Sequence, residues 1–350
     1  MKCNHTRTAT HDSRLTTHHS RFRSFYYLHR MLYSLVKILA RLAIKFYCRD
    51  IAINNKNILK TDGPLLLASN HPNSFLDAII FCTLFDKPVY SLARGDAFKG
   101  KFISRLLFSL KLLPVYRVSE GVENLEGNYK TFGLCKEIFK QNGIVLIFSE
   151  GRCINEWHLR PLKKGTARLA ISSWEDGIPL SVLPVGINYS SFYKFGKNIK
   201  LFFGEFITAK DIDAGNGHGK NIQSFNANLL QQLQPFVFEI DKTDKEELHN
   251  KFYVPQPLIK KILLFIPAVI GWFLHAPLYL PIKWFVKKAA FDNDHYDSIV
   301  VAILLLAYPV YMVLITVLVL AFTHQWLSLL LLLIFPFTAW VYVQLKRQLD

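Results

Sequence analysis

Residues 64–80 read PLLLASNHPNSFLDAII. A short apolar run, PLLLAS, has the length and composition of a buried strand. A polar break follows, and a second apolar stretch from about 73 to 85 has the length of a helix. Strand, turn and helix in so few residues make one half of a βαβ unit, and the flanking chain continues the alternation. PVYSLA (88–93) is strand-like, the segment FKGKFISRLLFSLKLL helical, and residues 125–141 helical up to Gly143. IVLIFS (144–149) is a strand, GTARLAISSWED a helix, and PLSVLPVGI (179–187) and IKLFFG (199–204) are strands. Strands alternating with helices define an α/β domain, expected over residues 51–257, with a largely parallel sheet flanked by helices.

Outside that domain the composition changes. Residues 1–30 are polar and rich in His and Arg, with no apolar core for a signal peptide; they are expected to be a disordered basic tail. Met31 opens the first patterned segment and is a second possible start. Residues 31–47, within a leading unit 31–50, recur in Leu32, Leu35, Val36, Leu39 and Leu42 at helical steps, with Lys37, Arg41 and Lys45 on another face. Such a helix fits a membrane interface, its basic residues toward lipid headgroups, and equally fits packing on its own domain. The segment 258–350 is a membrane region. Runs 299–322 and 326–343 are uncharged and long enough to span a bilayer, and only THQ joins them, so they are expected to form a transmembrane hairpin. Lys287, Lys288, Lys346 and Arg347 at its outer ends place both ends in the cytoplasm. Segment 262–281, interrupted by Pro267 and Pro277, is expected to lie flat or re-enter, with a full span left open. With 258–350 removed, the α/β domain is expected to fold by itself.

The chain has 350 residues and a formal net charge of +16. Basic charge points to nucleic acid or to an anionic membrane. No zinc spacing or recognition motif accompanies it, whereas long apolar runs do, so the partner is expected to be membrane lipid and not nucleic acid. Five scattered cysteines without a CxxC pair read as reduced thiols. No metal is expected.

In an open α/β sheet, ligands bind beyond the carboxyl ends of the strands. His71 and Glu150 both fall there. Two readings fit NHPNSFLDAI. Ser74 and Asp77 have capping-box spacing, with Pro72 near the helix start. Alternatively, His71 is a general base whose ring is oriented by Asp77. Ser74 lacks a G-x-S-x-G elbow and is not read as a nucleophile. Arg94, in LARGDAF, and Arg117, ending LLPVYR, are candidate phosphate clamps. Glu150, Gly151 and Arg152, followed by Lys163, Lys164 and Arg168 at a helix start, form a candidate anion site.

In this order the blocks resemble the phospholipid/glycerol acyltransferase family over roughly residues 60–210. The N-H-x4-D block is represented by Asn70, His71 and Asp77, and the basic block by RGDAF and Arg117. The F-P-E-G-T-R-S block appears as FSEGRCI with KKG at 163–165, and a V-P-V-like strand contains Pro184. Three departures stand out: the spacing is H-x5-D, Ser149 replaces the proline, and Arg152 replaces the threonine.

The resemblance implies transfer of an acyl chain from acyl-CoA or acyl carrier protein to a hydroxyl of a glycerol phosphate or lysophosphatidate-type acceptor in phospholipid synthesis. His71 and Asp77 are then catalytic; Arg117, Glu150, Gly151 and Arg152 bind the acceptor; Arg94, Lys163 and Lys164 supply further phosphate contacts. The thioester is a co-substrate and no cofactor is implied. The expected location is a bacterial inner membrane, with the catalytic domain on the cytoplasmic face. Acylation of another lyso-lipid, such as an amino-acid lipid, and non-catalytic lipid binding are the alternatives. Oligomeric state is left open.

Overall fold

The computed structural model describes residues 31–116, 125–212, 217–290 and 293–349. The expected tail, 1–30, lies outside them.

Seven strands form one sheet: β1 (Cys48–Ile53), β2 (Leu65–Ser69), β3 (Val89–Arg94), β4 (Leu112–Val115), β5 (Ile144–Phe148), β6 (Ser181–Tyr189) and β7 (Lys197–Phe203). Their order is β1-β7-β6-β2-β5-β3-β4. Every pairing is parallel except β6 with β7. The fold is therefore the expected α/β one. Central β2 is buried on both faces, which is why it reads as an unbroken apolar run. Leu65 and Leu67 pack on one face with α2 (Ser74–Leu84), where Leu76, Ile80 and Phe81 are fully buried. Leu66 and Ala68 face the other side, against α4 (Leu125–Lys140), α5 (Lys164–Glu175) and α6 (His218–Leu233).

The structure departs from the sequence expectations in several places. The expected long helix ending in LKLL stops early. Helix α3 covers Lys101–Ser109, then Lys111 takes a left-handed φ of 64°, and residues 112–115 become edge strand β4. Pro114 is tolerated there because an edge strand has a side with no ladder to break. Strand β1 and helices α6 and α7 (Lys245–Phe252) were not anticipated.

Helix α1 (31–47) turns its basic face inward. Lys37 Nζ donates to the carbonyls of Phe85 and Asp86 at 2.8 and 3.1 Å, and Arg41 Nε donates to Thr83 O at 2.6 Å. Both cations thus satisfy the carboxyl end of α2. The face left outside is apolar: Leu35, Ile38, Leu39 and Leu42 are exposed. Of the three basic residues expected to meet headgroups, Lys37 is half-buried, while Arg41 and Lys45 are exposed.

Among the described residues three helices are long and apolar enough to cross a membrane: α8 (Leu258–Ala290), α9 (Tyr296–Thr323) and the span Trp326–Leu345, which contains α10 (Leu331–Leu345). Helix α8 continues through Pro267, Pro277 and Pro281 instead of breaking. Lys260 Nζ near one of its ends reaches Gln344 Oε1 at 2.8 Å, and Val286 near the other is buried in the core beside β2. Between them Leu274 O accepts from Tyr311, and Gly271 lies against Thr338. The Val286 end of α8 is therefore tied to the α/β domain, while its start and its middle meet α9 and α10.

The boundary at 257 does not separate packing units. Tyr296, Val300 and Val301 belong to the core that contains Leu65 and Leu67. Gln348 Nε2 donates to Val254 O at 2.6 Å, while its Oε1 accepts from Asn198 Nδ2 at 2.8 Å.

Candidate active site

The central strands β2 and β5 are parallel neighbours, with Ser69 opposite Phe148. The chain leaving β2 carries His71, and the chain leaving β5 carries Glu150, so both arrive at the same sheet edge.

The loop after β2 is fastened first. Asn70 Nδ2 donates to Ile187 O at 3.0 Å and Ile187 N donates back to Asn70 Oδ1 at 2.8 Å, so β6 fixes the loop's exit. Asn155 Nδ2 holds Pro72 O at 2.7 Å. The His71 ring stacks on Phe148, centroids 3.8 Å apart and planes 9° from parallel. Its Nδ1 lies 2.8 Å from Asp77 Oδ2. Asp77 is fully buried and also accepts from Asn73 N at 2.9 Å and from the Tyr189 hydroxyl at 2.6 Å. The carboxylate thus orients the imidazole and accepts from the backbone of the N-cap residue Asn73, but the Ser74–Asp77 capping box does not form, because Ser74 Oγ turns to His295. Burial first, then the nearby Asp77 charge, raises the Tyr189 phenol well above its ordinary range, so it remains a donor. The histidine side chain is 16% exposed. With Nδ1 donating to the carboxylate, Nε2 is the basic nitrogen. Among the described residues it has no hydrogen-bond partner.

Glu150 is buried and both its oxygens are used inside the protein. Oε2 accepts from His71 N at 2.8 Å and from Arg160 Nη2 at 2.6 Å, and Oε1 accepts from Arg160 N at 3.0 Å. Glu150 therefore binds the β2 loop to the β5 loop and is not presented to a ligand, as its expected role in acceptor binding required. Arg160 was missed by the sequence reading because nothing local marks it: it lies ten residues past its partner. Gly151 has φ of +68°, and a Cβ there would approach Lys163 Cγ to 3.0 Å. Glycine is required by both the turn and the crowding. Arg152, Lys163, Lys164 and Arg168 are exposed around the opening of α5. Lys163 N donates to Ser149 O at 2.7 Å, and Thr166 Oγ1 to Ser149 Oγ at 3.0 Å. The serine that departs from the motif thus joins this helix start to the β5 loop. Arg94 ends β3 and pairs with Asp96. Arg117 lies outside the described residues.

Ser74 takes a left-handed φ of 49°, and its Oγ lies 2.7 Å from His295 Nδ1, just ahead of α9. A deeper layer lies behind this loop. Asn73 Nδ2 donates to Asp297 Oδ2 at 2.7 Å. The same carboxylate accepts from Lys197 and from the Tyr47 hydroxyl. Lys197 and Asp297 are fully buried. None of this was legible locally, since Asn73 and Asp297 stand 224 residues apart. Among the described residues no group of three His, Cys, Asp or Glu side chains stands where a metal could be held.

A basic nitrogen, a carboxylate behind it and a cationic rim at one sheet edge are the parts that proton abstraction beside an anionic group requires. The acyltransferase family model matches residues 50–188. Among solved structures the chain is similar to the 1-acyl-sn-glycerophosphate (LPA) acyltransferase PlsC from Thermotoga maritima, at 12% identity and a TM-score of 0.42, covering 64% of this chain and 88% of that one. No curated protein sequence matches significantly.

Proposed function

We propose that the protein moves a fatty acyl chain from acyl-CoA or acyl carrier protein to the hydroxyl of a glycerol phosphate or lysophosphatidate-type acceptor. The observation that carries this reading is the buried Asp77 carboxylate on His71 Nδ1, which leaves Nε2 as a base at the site's surface. Nε2 takes the acceptor's hydroxyl proton as its oxygen bonds to the thioester carbonyl carbon. The carbonyl electron pair moves to oxygen, then returns as the C–S bond breaks. The leaving thiolate takes the proton from the imidazolium. An ester and a free thiol result, without an acyl-enzyme.

Arg152, Lys163 and Lys164 supply cations for the acceptor phosphate, with Arg94 and Arg117 as further contacts. Glu150 and Gly151 act by shaping the loop that presents them. In a membrane assay with labelled acyl-CoA or acyl carrier protein, phosphorylated acceptors are expected to be used. Replacing Arg152 or Lys163 by alanine is expected to lower acceptor kcat/KM by about 10- to 100-fold, as loss of a charged hydrogen bond implies. An uncharged acceptor used equally well would remove the phosphate from this reading. Absence of transfer from either donor to any acceptor would leave lipid binding as the function.

The helices α9 and α10 are proposed to form a hairpin with both ends on the side of His71, the cytoplasmic face, with α8 packed against it. Both ends carry lysines and the joining residues carry none. A single cysteine at the exposed Arg347, on a cysteine-free background, is expected to react only from the side that bears the catalytic domain. Labelling solely from the opposite side would rule the arrangement out.

A further inference from the structure

The stretch between His71 and Asp77 is not regular helix. Asn73 has φ of −137°, and Ser74 takes the left-handed 49°, which a residue with a side chain holds only where its surroundings fix it. Asn73 stands at the N-cap of α2, yet its side chain does not cap the helix. Its Nδ2 is drawn away to Asp297 Oδ2 at 2.7 Å, and its Oδ1 has no partner among the described residues. The side-chain cap comes from another element. Ser298 Oγ, in the first turn of α9, accepts from Leu76 N at 3.0 Å and donates to Asn73 O at 3.0 Å. One buried hydroxyl thus ties the chain on both sides of Ser74 and satisfies an early amide of α2, the task an N-cap side chain ordinarily performs.

The path from this hydroxyl to the reacting pair is short. Asn73 N donates to Asp77 Oδ2 at 2.9 Å, and the same oxygen lies 2.8 Å from His71 Nδ1. Ser298 fixes the Asn73 backbone, Asn73 fixes the Asp77 carboxylate, and Asp77 fixes the imidazole. Tyr189 holds the other carboxylate oxygen, Oδ1, and so leaves the aim of Oδ2 to Asn73. Ser298 carries no charge, and its removal would leave the Lys197–Asp297 pair in place. It also lies beyond residues 50–188, so the family model covers the histidine and the aspartate but not the residue behind them.

We propose that Ser298 is a positioning residue for acyl transfer: from α9 it holds the Asn73 backbone so that Asp77 keeps His71 aimed with Nε2 outward. The proposal rests on His71 as the base. It gives the start of the hairpin a part in turnover without any contact to substrate.

The test uses the full chain in a neutral detergent, with the donor and acceptor that support transfer in the membrane assay. Ser298→Ala is expected to lower kcat about tenfold, as loss of a hydrogen-bonded hydroxyl implies, with KM for both substrates unchanged. Folding is expected to survive, because Leu76 N keeps Asn73 O at 3.1 Å as an acceptor. In the His71→Ala background the same substitution should lower the residual turnover no further, since no base remains to be aimed. A merely structural role would remove the same factor in both backgrounds. Unchanged kcat in folded Ser298→Ala, a rise in KM in place of the fall in kcat, or an equal fall in both backgrounds would each overturn the proposal. If Ser298→Ala does not fold, Ser298→Cys, of similar size but a weaker donor and acceptor, takes its place in the comparison. Full turnover in His71→Ala would overturn the base and this role together. Full turnover in Ser298→Ala beside an inactive His71→Ala overturns this role alone and leaves the catalytic reading standing.

Discussion

A folded His71→Ala protein is expected to lose turnover by about 100- to 10,000-fold, the usual range for removing a general base. Asp77→Asn is expected to fall in the same direction for a different reason. An amide can offer His71 Nδ1 a donor or an acceptor, so the tautomer with Nε2 free to accept a proton is no longer enforced. Asp77→Asn also disturbs the Tyr189 and Asn73 contacts, so its folding must be checked alongside. The informative control is Ser74→Ala. Ser74 Oγ lies beside His295 and sits on left-handed backbone, the two features that would favour a serine nucleophile. Direct attack by the acceptor requires Ser74→Ala to keep most of its turnover. Single-turnover measurements with labelled thioester would distinguish the routes: label carried covalently on the protein, and abolished by Ser74→Ala, would replace the His71 mechanism with an acyl-enzyme.

Asp297→Ala is expected to be the most damaging substitution outside the reacting groups. It leaves the Lys197 ammonium fully buried without its carboxylate, along with the Tyr47 hydroxyl and the Asn73 amide. Removing one partner of a buried ion pair costs about 3–5 kcal/mol, a large part of a typical stability of about 5–15 kcal/mol. Burial and the Asp297 charge raise the Tyr47 phenol, so it stays protonated and contributes no charge of its own. Thermal unfolding in detergent is expected to show a markedly lower midpoint for Asp297→Ala. The double variant Lys197→Met with Asp297→Leu should recover much of the loss, because it removes the stranded charge as well. An unchanged midpoint in the single variant would show that the pair does not hold the domain together. The same argument reverses the expectation that the domain folds without residues 258–350. A chain ending at 257 lacks Asp297, Tyr296 and the Gln348 side chain that joins Asn198 to Val254.

The sheet and the His71–Asp77 pair were legible because both are local. Period and length mark β2 and α2, and the helix start brings a carboxylate back toward a histidine only six residues earlier. Tyr189, Arg160 and Asp297 were not legible, because each reaches the site from another element and carries no mark of it in its own neighbourhood. Strand β1 was hidden by Arg49 and Asp50 at its start, where an edge strand tolerates charge. Helix α1 shows a different limit. Its period correctly separates an apolar face from a basic one, but period is silent on which face meets protein. Lys37 and Arg41 found carbonyls at the end of α2, a hydrogen-bond destination that a helical wheel does not display.

The placement of Asp297 and Gln348 also sets an order in time. Strand β7 brings Lys197, which lies beneath the His71 loop, into the growing chain 100 residues before its counter-charge exists. Until α9 begins, that lysine has no carboxylate to accept it, and until Gln348 is made the Asn198 amide lacks its side-chain acceptor. A growing chain therefore passes through a period in which the histidine and aspartate are both present but the floor under them is open. Assembly of the apolar helices closes it, so the edge that carries His71 and Asp77 is complete only once those helices have been made and packed.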